Sequence, residues 1–286
     1  MSHDTDYRSD RIDPLFVFDY QTSDGPCPDQ RWSTWLSVEP LCRGPEPRPP
    51  WLVTSQAALD TELGVLKTGK EADVFLVERA VPDDPEQAVV MAAKRYRTEQ
   101  HRSFHRSAAY TEGRRVRNSR DARAMAKKTG HGREVAAGQW AGAEWETLKR
   151  LWSAGVPVPY PVQIDGTEIL MEYVEVGGQA APRLAQTRPN RELLRCYFEQ
   201  VRDAMADLAR LGLAHGDLSA YNILAAGERL VLIDLPQAVD IVANPAGMDF
   251  LMRDCHNVCS WFAARGLDAA VADEDALFAE LVGSAY

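Results

Sequence analysis

The sequence has no long apolar run and few cysteines. None of its 286 residues lies in a stretch that approaches the roughly 18 consecutive apolar residues of a membrane-spanning helix. Residues 1–10 are polar and lack the apolar core of a signal peptide. The five cysteines are scattered and odd in number, which argues against a disulfide framework. We therefore expect a cytoplasmic protein without a membrane partner.

The formal net charge of −10 is unevenly distributed along the chain. Residues 95–133 carry twelve Lys and Arg against three acids, a local charge of +9 that leaves −19 for the remainder. A basic segment on an acidic body indicates a contact with RNA, an acidic protein or nucleotide phosphates. Because the segment has few aromatic residues, stacking on bases is only weakly supported. A contact of residues 95–133 with RNA or a ribonucleoprotein is retained as a hypothesis.

Residues 1–55 contain many prolines and show no sustained hydrophobic period. We interpret them as a mostly irregular N-terminal extension, which is followed by a helical turn over residues 55–60 that leads into the body. Three tryptophans are expected to dock part of this extension (Trp32, Trp35, Trp51). The remaining chain has the composition of a globular protein, with 45% hydrophobic and 26% charged residues overall.

Residues 215–240 form the most informative stretch, a polar loop followed by two apolar strands. Ile223–Leu224 and Leu230–Ile233 are predicted to pair as a hairpin across the residues between them. Such a hairpin brings Asn222 and Asp234 to the same end of the two strands.

The polar groups of this stretch are Asp217, Asn222 and Asp234. Oxygen ligands fixed on strands, with a further carboxylate nearby, suit a Mg²⁺ ion that also holds phosphate oxygens. The spacing, an Asp, an Asn five residues on and a second Asp after a strand, is that of a kinase catalytic loop. An Asp- and Asn-rich turn is the alternative, which the second Asp at the end of a strand disfavours.

Further features upstream fit a nucleotide site. A polar turn with one glycine, residues 67–73, lies between two predicted strands and either folds its N–H groups over phosphates or is a plain hairpin turn. The next strand, residues 88–94, ends in Lys94, which either extends to the edge of the sheet or pairs with an acid and a phosphate. A helix predicted over residues 141–151 places Glu144 within reach of Lys94.

Residues 162–174 contain two predicted strands, and the second runs into the glycine pair at 177–178, a natural hinge between lobes. The backbone groups of Glu172 and Val174 are then available to an adenine edge. A long amphipathic helix over residues 191–211 is predicted beneath the polar loop, and two or three helices are predicted near the C-terminus.

In combination, these stretches resemble the RIO family of atypical serine/threonine protein kinases, and most closely the subfamily without a winged-helix domain. In family order they are KTGKEADVFLV, the strand that ends at Lys94, WAGAEWETLKRL, VPVPYP, ILMEYV, HGDLSAYNIL, LVLIDLPQAVD and FLMRDCHNVCSWF. They span about residues 63 to 263.

The resemblance implies an α+β, two-lobe protein-kinase-like fold. Its N-lobe would be an antiparallel sheet with one main helix, over residues 56–174, with residues 95–133 as a basic insertion. Its C-lobe, residues 175–286, would be mostly helical and truncated, lacking the activation segment and peptide-binding helices of ordinary protein kinases.

The resemblance also implies how ATP would be held. Lys94 would bind the α- and β-phosphates and pair with Glu144, and Met171 would be the gatekeeper beside the adenine. The other residues expected to bind the nucleotide are those of the phosphate loop and of the hinge (Thr68, Gly69, Lys70, Glu172, Val174).

The catalytic residues implied by the resemblance are Asp217, Lys94 and Asp234. Asn222 and Asp234 would hold Mg²⁺, with Mn²⁺ as an alternative ion. In this family the metal-binding Asp can itself accept phosphate, so Asp234 is a candidate for an aspartyl-phosphate in an ATPase cycle. The expected activity is that of a RIO-type serine/threonine protein kinase or ATPase acting on an unidentified protein.

The sequence departs from the family pattern at a few positions. Asp234 is followed by Leu-Pro, Lys67 stands where Ser is common and Asp73 where Asn is common. These departures leave the ATP chemistry intact but weaken the case for the family's role in ribosome maturation.

Two other functions are weighed against the kinase. A small-molecule phosphotransferase of the aminoglycoside or choline kinase type also carries a His-Gly-Asp loop with Asn five residues on, but not this phosphate loop. A non-catalytic, nucleotide-gated scaffold that binds RNA or a ribonucleoprotein would use residues 95–133.

Overall fold

The computed structural model describes residues 26–97, 130–235 and 238–285, and in the helix that begins at Gly130 it describes side chains from Ala136 onward. Predictions for the rest of the basic segment and for residues 1–25 fall outside the described residues.

An antiparallel six-stranded sheet forms the first half of the described chain, in the order β1-β2-β3-β4-β6-β5. Its strands are β1 (Gln30–Trp32), β2 (Leu59–Thr68), β3 (Ala72–Val81), β4 (Asp84–Tyr96), β5 (Pro161–Asp165) and β6 (Glu168–Glu172). Helix α1 (Gly130–Ser153) packs on one face of this sheet. The two faces are distinct because successive side chains of a strand point to opposite sides.

The second half is mostly helical. Its helices are α2 (Arg191–Arg210), α3 (Gly247–Ala264) and α4 (Glu274–Ala285). Three short antiparallel strand pairs accompany them: β7 (Glu175–Val176) with β8 (Gln179–Ala180), β9 (Leu213–Ala214) with β12 (Val239–Asp240), and β10 (Ile223–Ala226) with β11 (Arg229–Leu232). The predicted two-lobe α+β fold is thereby confirmed.

Helix α2 lies at the centre of the C-terminal core. Asn190 caps its first turn, since the side-chain oxygen accepts a hydrogen bond from the Leu193 N–H at 2.8 Å. One face of α2 is apolar at helical spacing, and its Phe198 ring meets Phe262 of α3 edge-on, with 5.2 Å between ring centroids. This core supports the loop between β9 and β10, which carries Asp217.

The hairpin predicted from residues 223–233 forms, with Ile223 opposite Leu232 and a tight turn at Gly227. The glycine pair at 177–178, expected as a hinge, is the turn of the β7–β8 hairpin, where both residues have positive φ. Helix α1 is longer than the predicted span 141–151, because it begins at Gly130 within the C-terminal end of the basic segment.

The predicted helical turn over residues 55–60 is wrong in its second half. Leu59 and Asp60 belong to β2, where they pair with β3 on one side and with β1 on the other. The strand β1 itself was not predicted in a segment expected to be mostly irregular.

Of the three tryptophans, Trp35 is buried and Trp51 packs against the same cluster, whereas Trp32 is 56% exposed and does not dock.

A buried ion pair joins β2 and β3 beneath β1. Arg79 Nε and Nη2 donate to the two carboxylate oxygens of Asp60 at 2.7 and 2.9 Å, and Nη2 also donates to Gln163 Oε1 at 3.0 Å. Both side chains are almost completely buried. Removing one partner of such a pair leaves an uncompensated charge in the interior, which is more costly than losing both.

We predict that Asp60→Ala lowers the free energy of unfolding by about 3–5 kcal/mol, because it strands the Arg79 guanidinium. The double variant Asp60→Leu with Arg79→Met should recover most of this loss. Urea unfolding followed by circular dichroism measures both. Glu280→Ala is the control, since it breaks a solvent-exposed pair with Arg202 and should cost less than about 1 kcal/mol. An equal cost for Asp60→Ala and Glu280→Ala would contradict the prediction.

Candidate active site

A cavity of about 700 Å³ lies between the sheet and the β10–β11 hairpin. Its size is that of a small-molecule site. Apolar side chains line it from both sides, Val74 and Ala92 from the sheet, Leu224 and Ile233 from the second half. Two apolar surfaces facing each other across a slot suit a flat aromatic ring such as an adenine.

The cavity brings together most of the residues predicted to bind ATP. Those that line it are Gly69, Lys70, Lys94, Glu144, Met171, Glu172, Val174 and Asp234. Three further predicted residues, Thr68, Asp217 and Asn222, do not line it. Thr68 is an exposed residue at the end of β2, opposite Asp73 of β3.

The Lys94 ammonium group connects the elements that form the site. Its Nζ donates to Glu144 Oε1 of α1 at 2.7 Å and to Asp234 Oδ1 at 3.1 Å, so one ammonium group joins three separate elements. The second oxygen of Glu144, Oε2, accepts a hydrogen bond from the Tyr96 hydroxyl. Burial lowers the pKa of Lys94, but the charge of Glu144, followed by Tyr96 and Asp234, outweighs burial and holds it well above the ordinary value. Lys94 is therefore a fixed positive charge.

Asp234 lies two residues after β11 and has an unusual backbone conformation. Its φ is +68°, in the left-handed region that Asp adopts more readily than most residues. Its side chain is 44% exposed towards the cavity that it lines. The charge of Lys94 lowers the pKa of Asp234 and outweighs the opposite effect of burial, so its carboxylate is ionised at neutral pH. Such conformations cluster at functional sites, where the surrounding structure enforces them.

The loop that carries Asp217 is held by α3. Asp254 is buried and accepts the backbone N–H groups of Gly216 and Leu218, both at 2.8 Å. Burial raises the pKa of Asp254, although these two hydrogen bonds oppose the effect. Asp217 lies between the two bonded residues and keeps an exposed side chain. The loop therefore presents the Asp217 carboxylate to solvent from a fixed backbone.

Asn222 follows this loop and is tied to it. Its Nδ2 donates to the Asp217 carbonyl at 2.9 Å, and its own carbonyl accepts the Ile233 N–H at 2.9 Å. The hairpin thus places Asn222 and the residue before Asp234 side by side, as predicted from the sequence. The roles of Asp254 and of His215, whose Nε2 lies 3.1 Å from the Ile233 carbonyl, were not predicted from the sequence.

Two side-chain oxygen atoms at this end of the hairpin are of the kind that binds a divalent cation. The Asn222 side chain binds the loop through its amide nitrogen, which leaves Oδ1 for a cation, and Asp234 accepts from Lys94 through Oδ1, which leaves Oδ2. Mg²⁺ binds oxygen and takes one or two protein ligands together with phosphate oxygens. Within the described part of the chain, no group of three or more His, Cys, Asp and Glu could hold a metal. An ion here would need substrate phosphates to complete its shell.

The predicted phosphate loop is a tight turn from Gly69 to Ala72. The Gly69 N–H donates to the Ala72 carbonyl at 3.0 Å, so this N–H is used inside the turn. A Cβ on residue 69 would lie 2.6 Å from that carbonyl oxygen, which explains the glycine.

Lys67 and Arg183 also line the cavity, although neither was predicted as a site residue. Burial, and then the positive charge of Arg183, lowers the pKa of Lys67.

Comparison with known sequences gives concordant matches. The sequence model of the RIO domain matches residues 73–277. The RIO-type serine/threonine-protein kinase Rio1 of Haloferax volcanii is 37% identical over 225 residues, which are 79% of this chain and 70% of the relative. The serine/threonine-protein kinase rio1 of Dictyostelium discoideum is 30% identical over 74% of this chain and 34% of its own.

Human serine/threonine-protein kinase RIO3 is 32% identical over 48% of this chain and 26% of its own length. The chain therefore spans about a third or less of these two eukaryotic relatives. A search of the described helices finds none that is both long and apolar enough to cross a membrane.

We predict that Glu144→Gln lowers the pKa of Lys94, because the Glu144 charge is the largest influence that opposes burial. At a fixed pH near 8, the rate of Lys94 acetylation by a water-soluble acylating reagent should rise by about tenfold, the effect of one pKa unit. Peptide mass spectrometry measures this rate without nucleotide. The control is Glu146→Gln, whose side chain is 70% exposed and pairs with Lys149 instead. Equal Lys94 rates in the two variants would refute the assignment.

Proposed function

Because this chain belongs to the RIO-domain family, whose relatives are named as serine/threonine-protein kinases, we propose that it transfers the γ-phosphoryl group of ATP to protein serine or threonine. The observation that carries the proposal is the Lys94 ammonium, which bridges Glu144 and Asp234 at a cavity of about 700 Å³. The phosphate acceptor is a protein of unidentified sequence.

Lys94 would hold the α- and β-phosphates. Glu144 keeps its ammonium charged and in place, and Asp234 lies on the other side of that ammonium. A positive charge fixed before the substrate arrives stabilises the developing negative charge without having to reorganise. Lys70, together with the turn at Thr68 and Gly69, would cover the triphosphate.

The adenine would lie in the apolar slot beside Met171. The Glu172 N–H already donates to the Tyr160 carbonyl at 2.8 Å, and the Val174 carbonyl already accepts the Ala181 N–H at 3.0 Å. The backbone groups of these two residues that would contact the adenine are therefore the Glu172 carbonyl and the Val174 N–H.

Asp217 would orient the acceptor hydroxyl and take its proton. The backbone on both sides of Asp217 is fixed by Asp254, and its carboxylate is exposed, where an incoming hydroxyl can reach it. General-base catalysis of this kind contributes about 10²–10⁴ in rate.

Asn222 and Asp234 would hold Mg²⁺, with Mn²⁺ as an alternative. When bound, the ion neutralises charge on the β- and γ-phosphates.

Asp234 would have a second role, as an acceptor of the γ-phosphoryl group. Its carboxylate is ionised, and an oxygen of it would attack the γ-phosphorus in line while the bond to the β-phosphate oxygen breaks and ADP leaves. Hydrolysis of the acyl-phosphate by water would regenerate the carboxylate and release phosphate. The sum is ATP hydrolysis, an activity that can accompany or replace transfer to a protein.

The alternatives weighed above are not favoured. The relatives carry kinase names, which supports neither an aminoglycoside- or choline-type phosphotransferase nor a non-catalytic scaffold. A contact of residues 95–133 with RNA, a cytoplasmic location, and lobe boundaries at residues 56, 174 and 286 all stay predictions.

We predict that Lys94→Ala abolishes ATP turnover, since it removes the charge that holds the phosphates. Asp217→Ala should lower the rate by about 10² or more, the contribution of a positioned base. Release of labelled phosphate from γ-labelled ATP with Mg²⁺ measures both, and circular dichroism verifies folding. Asp203→Ala, on the exposed face of α2, is the control and should keep full activity. Unchanged turnover in Lys94→Ala would sink the assignment.

The aspartyl-phosphate gives a separate prediction. Protein incubated with Mg²⁺ and γ-labelled ATP should carry a label that hydroxylamine releases, because acyl-phosphates react with this nucleophile whereas phosphoserine does not. Asp234→Ala should lose the label. A hydroxylamine-stable label that persists in Asp234→Ala would instead mean autophosphorylation on Ser or Thr, and would contradict the role of Asp234 as an acceptor.

A further inference from the structure

Residues 26–53, here called the strap, pass over the N-terminal sheet and reach α1 beside Glu144. We propose that the strap is a positioning element built into the chain, which keeps α1 seated so that Glu144 stays paired with Lys94. The inference rests on the proposed function, because it assigns the strap a role in phosphate binding.

The start of the strap is fixed in register on the sheet. Strand β1 pairs with β2, with Arg31 opposite Asp60. Three residues after Arg31, Thr34 Oγ1 accepts a hydrogen bond from Gln163 Nε2 at 2.6 Å. Gln163 in turn accepts from the buried Arg79. The strap is thus joined to the buried polar network of the sheet.

The middle of the strap covers the face of the sheet opposite the cavity. Trp35 packs in a buried cluster with Met91 and Ala93 of β4, whose neighbours Ala92 and Lys94 face the cavity. The guanidinium groups of two strap arginines lie 5.6 and 5.1 Å from the Trp35 ring (Arg43, Arg48). The strap therefore covers β4 on the face opposite to the one that presents Lys94.

The strap then reaches α1 at Trp145 and Lys149, which follow Glu144. The Leu41 carbonyl accepts the indole N–H of Trp145 at 3.3 Å and the ammonium of Lys149 at 3.2 Å. Trp145 follows Glu144 in sequence and is buried. Cys42 packs against the cluster that contains Tyr96, whose hydroxyl donates to Glu144. One strap residue therefore binds the helix, and the next packs against the cluster that contains Tyr96.

Of the three α1 residues buried in the cluster against the sheet, Ala137 and Ala141 are small and bury little apolar area, so the strap binds α1 at the largest of them, Trp145. A shift of α1 would move Glu144 away from Lys94 and weaken a charge-assisted hydrogen bond. Trp145 is thus a positioning residue that acts through Glu144.

Gly44 offers a way to displace the strap by a substitution that lies outside α1 and outside the cavity lining. Its N–H donates to the Val162 carbonyl at 2.8 Å. A Cβ at this position would lie 2.1 Å from the Pro161 carbonyl oxygen and 2.6 Å from the Tyr160 hydroxyl. Gly44→Val must therefore move the strap away from β5. Leu41→Ser is the matched control, because the Leu41 side chain is 78% exposed and the carbonyl that binds α1 is kept.

The test uses the full chain and two readouts. In Gly44→Val, Lys94 acetylation without nucleotide should become about three- to tenfold faster, and the affinity for ATP with Mg²⁺ should fall by a similar factor, as expected when one charge-assisted hydrogen bond weakens. Affinity for adenosine, which has no phosphate, should stay within about twofold. Calorimetry measures both affinities. Leu41→Ser should match the wild type in every assay.

Trp145→Phe is the second variant, in case Gly44→Val does not fold. It keeps a buried aromatic ring but removes the indole N–H, and it should show the same pattern with a smaller effect. The inference would be overturned if both variants kept the wild-type Lys94 acetylation rate and ATP affinity. It would also be overturned if the variants lost affinity for ATP and for adenosine equally. If the wild type binds no ATP, the proposed function fails, and unchanged Lys94 reactivity would still overturn the role of the strap.

Discussion

The site depends on one buried ammonium group that is shared by two carboxylates. Lys94 comes from the sheet, Glu144 from α1 and Asp234 from the end of the β10–β11 hairpin. A lysine in this place is unfavourable as a charge unless its partners compensate for the lost hydration, and removing one partner of a buried pair typically costs about 3–5 kcal/mol. The Lys94 charge, which would bind the phosphates, therefore depends on how the two halves of the chain are placed relative to each other.

The rest of the structure holds these three groups from outside. The Tyr96 hydroxyl donates a hydrogen bond to the second carboxylate oxygen of Glu144, and the strap contacts the same helix through Trp145. On the other side, Asp254 fixes the backbone of the loop before the hairpin by two N–H contacts at 2.8 Å. The loop and the hairpin can thus keep Asp217 and Asp234 in place while their side chains stay exposed to a substrate.

Much of this site is predictable from the sequence, because its parts are local. The hairpin follows from two short apolar runs around a turn, and it fixes Asn222 and Asp234 at one end. The pairing of Lys94 with Glu144 was inferred from the resemblance as well as from a helix and a strand of suitable pattern. The contacts of Tyr96 and Asp254 were missed because hydrogen bonds between distant residues leave no periodic signal. Strand β1 was missed for a similar reason: three residues beside several prolines carry too short a pattern, and pairing with β2 decides their conformation.

The most direct test of the shared ammonium is a double-mutant cycle on ATP binding, with Lys94→Met, Glu144→Gln and the combined variant measured by calorimetry with Mg²⁺. If Glu144 acts by holding Lys94, then Glu144→Gln weakens ATP binding in the wild-type background and has almost no effect once Lys94 is methionine. The coupling should be about 1–3 kcal/mol, as for residues in one hydrogen-bonded network. Additive losses would mean that the two residues act independently, and would contradict the account.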